Sequence, residues 1–178
     1  MRLIVCALGL TVWLVACDRG PVKVVSESMA PTLEPGDVVF QNPISDPQHE
    51  VRHGMILVYE HFEGMEYGEP GALYLFRAVG LAGDRISLLD DTLRVNGRVI
   101  PEPYARYEWP SGLGRSEVPP PKAQVSEMVV PEGTVFVLGD NRYNALDSRY
   151  HGPIPMDRVR AYVTPPDRRK APGVEPSS

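Results

Sequence analysis

Short runs of β-branched and aliphatic residues separated by turn formers dominate the chain after residue 37: Val38–Phe40, Met55–Tyr59, Leu73–Val79, Arg85–Leu89, Thr92–Val95, Arg98–Ile100 and Val135–Leu138. Runs of this length, bounded by Gly, Pro, Asn and Asp, read as strands, and no stretch of the body carries a sustained helical period. The pattern predicts a mainly β body, an antiparallel barrel-like or sheet core. Thr92–Val95 and Arg98–Ile100 flank Asn96-Gly97, a pair suited to the two positive-φ positions of a type I′ turn, so a tight hairpin is expected there. Val22–Val25 is a further strand-like run, and it leads into a loop containing Ser26 and Ser28.

Two segments break this pattern. Leu3–Ala16 is almost continuously apolar behind Met1 and Arg2, as in an export signal. As a helix it would span about 21 Å, short of the ~30 Å hydrocarbon core, which favours a signal segment over a permanent span. Its end, Leu14-Val15-Ala16-Cys17, resembles the lipobox of bacterial lipoproteins, which implies lipidation at Cys17; the alternative is an uncleaved anchor comprising residues 3–17. Either tethers the body outside the cytoplasmic membrane, and Asp18 resembles the signal that holds enteric lipoproteins at the inner membrane. Residues 101–127 are rich in Pro, Tyr and Glu and read as an inserted irregular subdomain. The expected organisation is a lipoprotein-type signal peptide at 1–16, a β core from 17–100 and 128–163, and a disordered tail at 164–178.

Composition narrows the chemistry. The 178 residues suit one domain with a modest insertion. The net charge of -5 supplies no basic field for phosphate backbones, so nucleic acid is not an expected partner. Cys6 lies in the leader and no Cys follows Cys17, which leaves the rest of the body without a thiol nucleophile, a disulfide framework or a Cys-based zinc site. No cofactor or metal is expected, and no feature fixes an oligomeric state.

On the residues alone, Ser28 is a hydroxyl on a proline-stiffened loop with Ser26 two positions away, a pairing that is ordinary in loops. The wider segment Ser26-Glu27-Ser28-Met29-Ala30-Pro31-Thr32-Leu33 closely resembles the S-x-S-M-x-P-T-L box of bacterial signal peptidase I, a family of membrane-bound serine endopeptidases. Arg77-Ala78-Val79-Gly80-Leu81-Ala82-Gly83-Asp84 resembles that family's K-R-x-V-G-x-P-G-D box. Val130-Pro131-Glu132-Gly133, then Gly139-Asp140-Asn141-Arg142 and Asp147-Ser148-Arg149 with Gly152, resemble its third box.

The resemblance implies a signal-peptidase-like β fold, with Ser28 as nucleophile and Ser26 joining the Ser28 backbone N–H in the oxyanion hole. It implies a bracing ion pair of Asp147 with Arg149, assisted by Arg77 and Asp140, with Asn141, Arg142 and Ser148 as further supports and Met29 near the substrate groove. A charged network of this kind can equally be scaffold. The implied partner is an extended peptide, the signal peptide of an exported protein, at the outer face of the cytoplasmic membrane of a bacterial envelope.

The family's general base is a lysine immediately before the box arginine, and here that position is Phe76. A phenyl ring accepts no proton, and Arg77 stays protonated at any working pH. Lys23, Lys122 and Lys170 lie elsewhere, and His49, His53, His61 and His151 do not align with Phe76. Ala145 stands where the family has the serine that holds the lysine, Glu27 replaces the glycine between the two serines, Ala82 replaces a proline and Tyr143 an aspartate. Two functions follow. One is an impaired signal-peptidase-like endopeptidase; the other is a non-catalytic lipoprotein that binds an extended peptide as an added strand.

Overall fold

The computed structural model describes residues 20–65, 68–107 and 124–166. The leader with Cys17, most of the expected insertion including Lys122, and the tail with Lys170 lie outside them. No helix among the described residues is long and apolar enough to cross a membrane.

Among the described residues eleven strands form two antiparallel sheets. In chain order they are β1 (Pro21–Lys23), β2 (Val38–Pro43), β3 (Ile56–Glu60), β4 (Leu73–Leu81), β5 (Arg85–Leu89), β6 (Thr92–Val95), β7 (Arg98–Val99), β8 (Val125–Val129), β9 (Thr134–Leu138), β10 (Ile154–Pro155) and β11 (Val159–Val163). The larger sheet runs β1-β2-β11-β3-β4-β9-β10, and the smaller runs β7-β6-β5-β8. Among the described residues helix is confined to the single turns α1 (Pro47–Glu50) and α2 (Ser148–His151) and a 3-10 turn at Met156–Arg158. The expected β body is thus present, and the runs singled out after residue 37 fall on strands, whereas Val22–Val25 leaves β1 at Lys23.

The Asn96-Gly97 turn adopts positive φ at both residues, 53° and 78°, and sets the register Val95↔Arg98 and Arg94↔Val99. This mirror-image turn geometry matches the twist of the flanking strands across a two-residue loop. The loop between β5 and β6 does the same with Asp90 (φ 46°) and Asp91 (φ 57°), side chains that tolerate αL.

β4 and β9 tie the layers together. Along them alternate side chains enter different cores, as the two-residue period of a strand requires. Phe76, Ala78, Val135 and Val137 join the larger cluster with Met29, Leu33, Leu57, Tyr59 and Ala145. Val79, Phe136 and Leu138 join the smaller one with Ile86, Leu88, Leu93 and Val95. Gly80 marks the closest approach: a Cβ there would lie 2.9 Å from Ile86 Cγ2 and 3.0 Å from Val130 Cγ2.

The described ends of the 101–127 segment are not detached from this body. β8 begins at Val125 and pairs with β5, while Arg106 bridges to Asn141 in the loop after β9.

Candidate functional site

The Ser26–Ser28 loop leaves the sheet at the end of β1 and returns at β2. Its neck is closed by two backbone bonds, Val24 N–H to the Asp37 carbonyl and Gly36 N–H to the Val24 carbonyl, both 2.8 Å. Met29 and Leu33 are buried beneath it, and a one-turn bond from Leu33 N–H to the Met29 carbonyl holds them in register. Burying two large aliphatic side chains contributes several kcal/mol, about 1.5–3 each, which fixes the loop to the core. The serines ride on top. Ser26 and Glu27 are exposed and Ser28 half-buried.

A second loop, running from Gly139 to Ala145 after β9, pegs Ser28 from behind. Asn141 N–H donates to the Ser28 carbonyl at 3.0 Å, and Asn141 Nδ2 donates to the Glu27 carbonyl at 3.2 Å. Ser26 Oγ and Ser28 Oγ lie 2.9 Å apart. Among the described residues the Ser28 backbone N–H has no hydrogen-bond acceptor, and the Ser26 hydroxyl is bonded to Ser28 Oγ, with either oxygen able to donate.

Two buried ion pairs support this pair of loops. Arg77 Nε and Nη2 clamp Asp140 in a fork at 2.8 and 2.5 Å, Thr32 Oγ1 donates to Asp140 Oδ2, and Arg77 Nη1 reaches the Gly54 carbonyl at 2.8 Å. The open face of the Arg77 guanidinium lies over the Tyr104 ring at 3.9 Å. Arg149 clamps Asp147 at 2.8 and 2.9 Å, and Asp147 Oδ2 also accepts the Gly139 N–H at 2.9 Å. Arg149 Nη2 donates to the Arg142 carbonyl, and Ser148 Oγ accepts the Val137 N–H. Planar fork-to-carboxylate geometry is the form in which a buried charge pair recovers most of its desolvation cost.

Arg142, the largest fully buried side chain, forms a third pair. It binds Glu102 through both terminal nitrogens at 2.9 and 2.5 Å and meets the Tyr107 hydroxyl at 2.6 Å. Burial works against its charge, yet the Glu102 contacts outweigh that and raise its pKa. Glu102, Tyr104 and Tyr107 were not singled out in the sequence. All three come from the Pro-rich segment, whose composition carries no sign that its first residues would close over two buried arginines.

The base side contrasts with this order. Phe76 points into the larger core beside Tyr59, ring centroids 6.2 Å apart, in the same cluster as Met29 and Ala145. Gly139 is packed among them: a Cβ on it would lie 2.3 Å from Ala145 Cβ, 2.6 Å from the Ser28 carbonyl oxygen and 3.3 Å from Phe76 Cε1. Phe76, Ala145 and the Ser28 backbone therefore converge on one glycine, with hydrocarbon facing the serine loop from that direction. The nearby Tyr59 hydroxyl is buried without a partner among the described residues. Burial, reinforced by the Asp147 carboxylate, pushes its pKa well above that of an ordinary phenol, so it is a protonated group at neutral pH.

Among the described residues no lysine or histidine nitrogen is hydrogen-bonded to Ser28 Oγ; its one bond is to Ser26. His49 pairs with Asp46, His53 with Asp84, and His61 packs beside Tyr74. His151 donates from Nδ1 to the Gly152 carbonyl and lies edge-on to Phe62, with burial lowering its pKa. Glu27 has no cationic partner among the described residues and its carboxylate is 3.4 Å from Asn144 Nδ2. No group of three metal-binding side chains converges among the described residues.

The family model described as "Signal peptidase, peptidase S26" matches residues 1–165. A signal peptidase I from Bacillus caldolyticus is 35% identical over 138 residues, 76% of this chain and 72% of that protein. Signal peptidase IB from Staphylococcus aureus is 32% identical over 150 residues, 81% of this chain and 75% of that one. A solved structure of a signal peptidase I from Enterococcus faecalis V583, 26% identical, covers 65% of this chain and 97% of its own with a TM-score of 0.47.

Proposed function

From the premise that this chain belongs to the signal peptidase family, peptidase S26, we propose that it receives an extended peptide from exported proteins at the Ser26–Ser28 loop but cleaves it slowly or not at all. In this reading the peptide lies alongside the sheet edge at the loop, with its carbonyl oxygen facing the Ser28 N–H and the Ser26 hydroxyl. Ser28 is the nucleophile in position and Ser26 the oxyanion donor. The pairs Arg77–Asp140 and Asp147–Arg149 hold the two loops that carry them, and Asn141, Arg142 and Ser148 fix the second loop.

The observation that carries this reading is the buried Phe76 ring packed with Ala145 behind Ser28. Attack requires Ser28 Oγ to give up its proton as the C–O bond forms, and later the leaving amine must take one up. A positioned general base contributes about 10²- to 10⁴-fold, whereas oxyanion stabilisation and binding alone leave roughly 10³- to 10⁴-fold over water. The hydrocarbon at residues 76 and 145 can do neither proton step. Glu27 adds to the barrier by placing a carboxylate beside the developing oxyanion.

Restoring the two missing groups tests this directly. Phe76→Lys combined with Ala145→Ser should raise cleavage of a preprotein in the full chain by about 10²-fold or more. Ser28→Ala in that background should abolish the gain. Efficient cleavage by the unaltered protein, or rapid labelling of its Ser28 by a fluorophosphonate, would overturn the reading. We further propose attachment to the outer face of the cytoplasmic membrane through Cys17 or the leader. Eleven residues separate Cys17 from Ser28, so the hydroxyl stays within about 40 Å of the lipid. Cys17→Ser should prevent acylation, read by radiolabelled palmitate incorporation.

A further inference from the structure

One well-formed cavity does not lie at the serines. It is a cleft of about 660 Å³ where the turn before β3 and the strand β4 meet the hairpin β6–β7, walled by Val79, Leu93, Val95 and Ile100. Tyr104 closes one end, and His53, Asn96 and Arg98 stand at the rim. Val79 and Arg77 project from the face of β4 opposite Phe76, and Ala78, which belongs to the larger core, also lines the cleft. Its volume is in the range of small-molecule pockets, about 300–1,000 Å³, and its aliphatic walls with a few polar groups at one margin are the usual composition of such a site.

The rim groups differ in what they have left to offer. Asn96 is spent, donating to Asp84 and accepting the Arg85 N–H. His53 Nε2 is held by Asp84 at 2.6 Å. The Arg98 side chain, by contrast, is exposed and has no ion pair or hydrogen bond among the described residues, its backbone pairing with Val95. A guanidinium carries its charge at every physiological pH and stacks or forks onto carboxylate and phosphate groups. An aliphatic cleft with one uncommitted cation at its margin complements an aliphatic chain ending in one anionic group.

We propose that this cleft is a binding site for an anionic amphiphile, an acyl chain of medium length seated against Val79, Leu93, Val95 and Ile100 with its anionic head on Arg98. The site also adjoins the serine loop through a chain of contacts. Tyr104 forms the end wall and stacks on Arg77, and Arg77 grips Asp140, which holds Thr32 of that loop. The head group can come from a free fatty acid or from a monoacyl phospholipid, and the two are separable by experiment.

Titration of octanoate, and separately of an eight-carbon lysophosphatidylglycerol, into the full chain in detergent-free lipid nanodiscs should give saturable heat that empty nanodiscs lack. Octanoate binding alone assigns a fatty acid, and tighter binding of the lysolipid assigns a phospholipid. Arg98→Glu, an exposed change on β7, should weaken binding at least tenfold, and Ile100→Trp should abolish it by filling the cleft while circular dichroism reports an intact sheet. Octanol should bind at least tenfold more weakly than octanoate. Absence of saturable binding by either anion overturns the proposal, as does affinity unaltered in both variants or equal affinity for octanol.

Discussion

Gly139 has no room for a methyl group, because two of the atoms a Cβ would meet cannot swing aside. The Ser28 carbonyl oxygen, 2.6 Å away, is backbone held by Asn141, and Ala145 Cβ, 2.3 Å away, is rooted in a short loop. Gly139→Ala should cost about 1–3 kcal/mol, the range for overpacking a filled core, and should shift the Ser28 loop. Chemical denaturation will measure the first, and a slowed reaction of Ser28 with an acylating probe in the Phe76→Lys, Ala145→Ser background the second. Tyr59 presents the opposite case. Its buried hydroxyl lacks a partner, and a polar group left unsatisfied in the interior costs about 1–3 kcal/mol. Tyr59→Phe should therefore leave the thermal midpoint unchanged or raise it, and a drop of several degrees would show that the hydroxyl is satisfied in solution.

Single turns and short strands set the site because each is fixed at both ends. The loop after β9 is anchored by the Gly139 N–H bond to Asp147, and the Arg142 side chain reaches back to the Gly139 carbonyl while binding Glu102. Arg142 and Glu102 are both nearly fully shielded from solvent, 1% and 6% exposed. Removing one partner leaves an uncompensated charge, a loss of about 3–5 kcal/mol, whereas replacing both with apolar groups is often neutral. Glu102→Ala should thus destabilise strongly, and Glu102→Leu with Arg142→Met should recover most of the loss, as read by urea midpoints. The register of the hairpin β6–β7 is held by two left-handed residues at Asn96-Gly97. This is why the composition of four residues was enough to place it.

For the molecule as a whole, acid is the direction of weakness, and two groups titrate in separate windows. Burial lowers the pKa of His151 in the folded state. Below the unfolded value of about 6.5 the unfolded chain binds more protons than the folded one, so stability falls as pH drops through that value towards the folded pKa. Burial alone would raise the Asp84 pKa, but hydrogen bonds from Leu81 N–H, Asn96 and His53 outweigh it and lower it. Its contribution is complete above the usual carboxylate range and is lost only as pH falls through the lower folded value. Thermal midpoints should therefore begin to decline just below pH 6.5, and His151→Gln should flatten that first limb while leaving the more acidic one.

What the residues determined unaided was local. Strand runs follow from alternating burial on a pleated chain, the Asn96-Gly97 turn from the φ that those two residues accept, and the family from three ordered boxes around Ser28, Arg77 and Asp140. Each depends on neighbours within about a dozen positions, where pattern and stereochemistry act directly. The closing of Glu102, Tyr104 and Tyr107 over Arg77 and Arg142, the placement of β11 between β2 and β3, and the packing of Phe76 with Ala145 against Gly139 depend on segments tens of residues apart. Such contacts arise when distant surfaces lose water together, and their geometry exists only once the sheets have assembled.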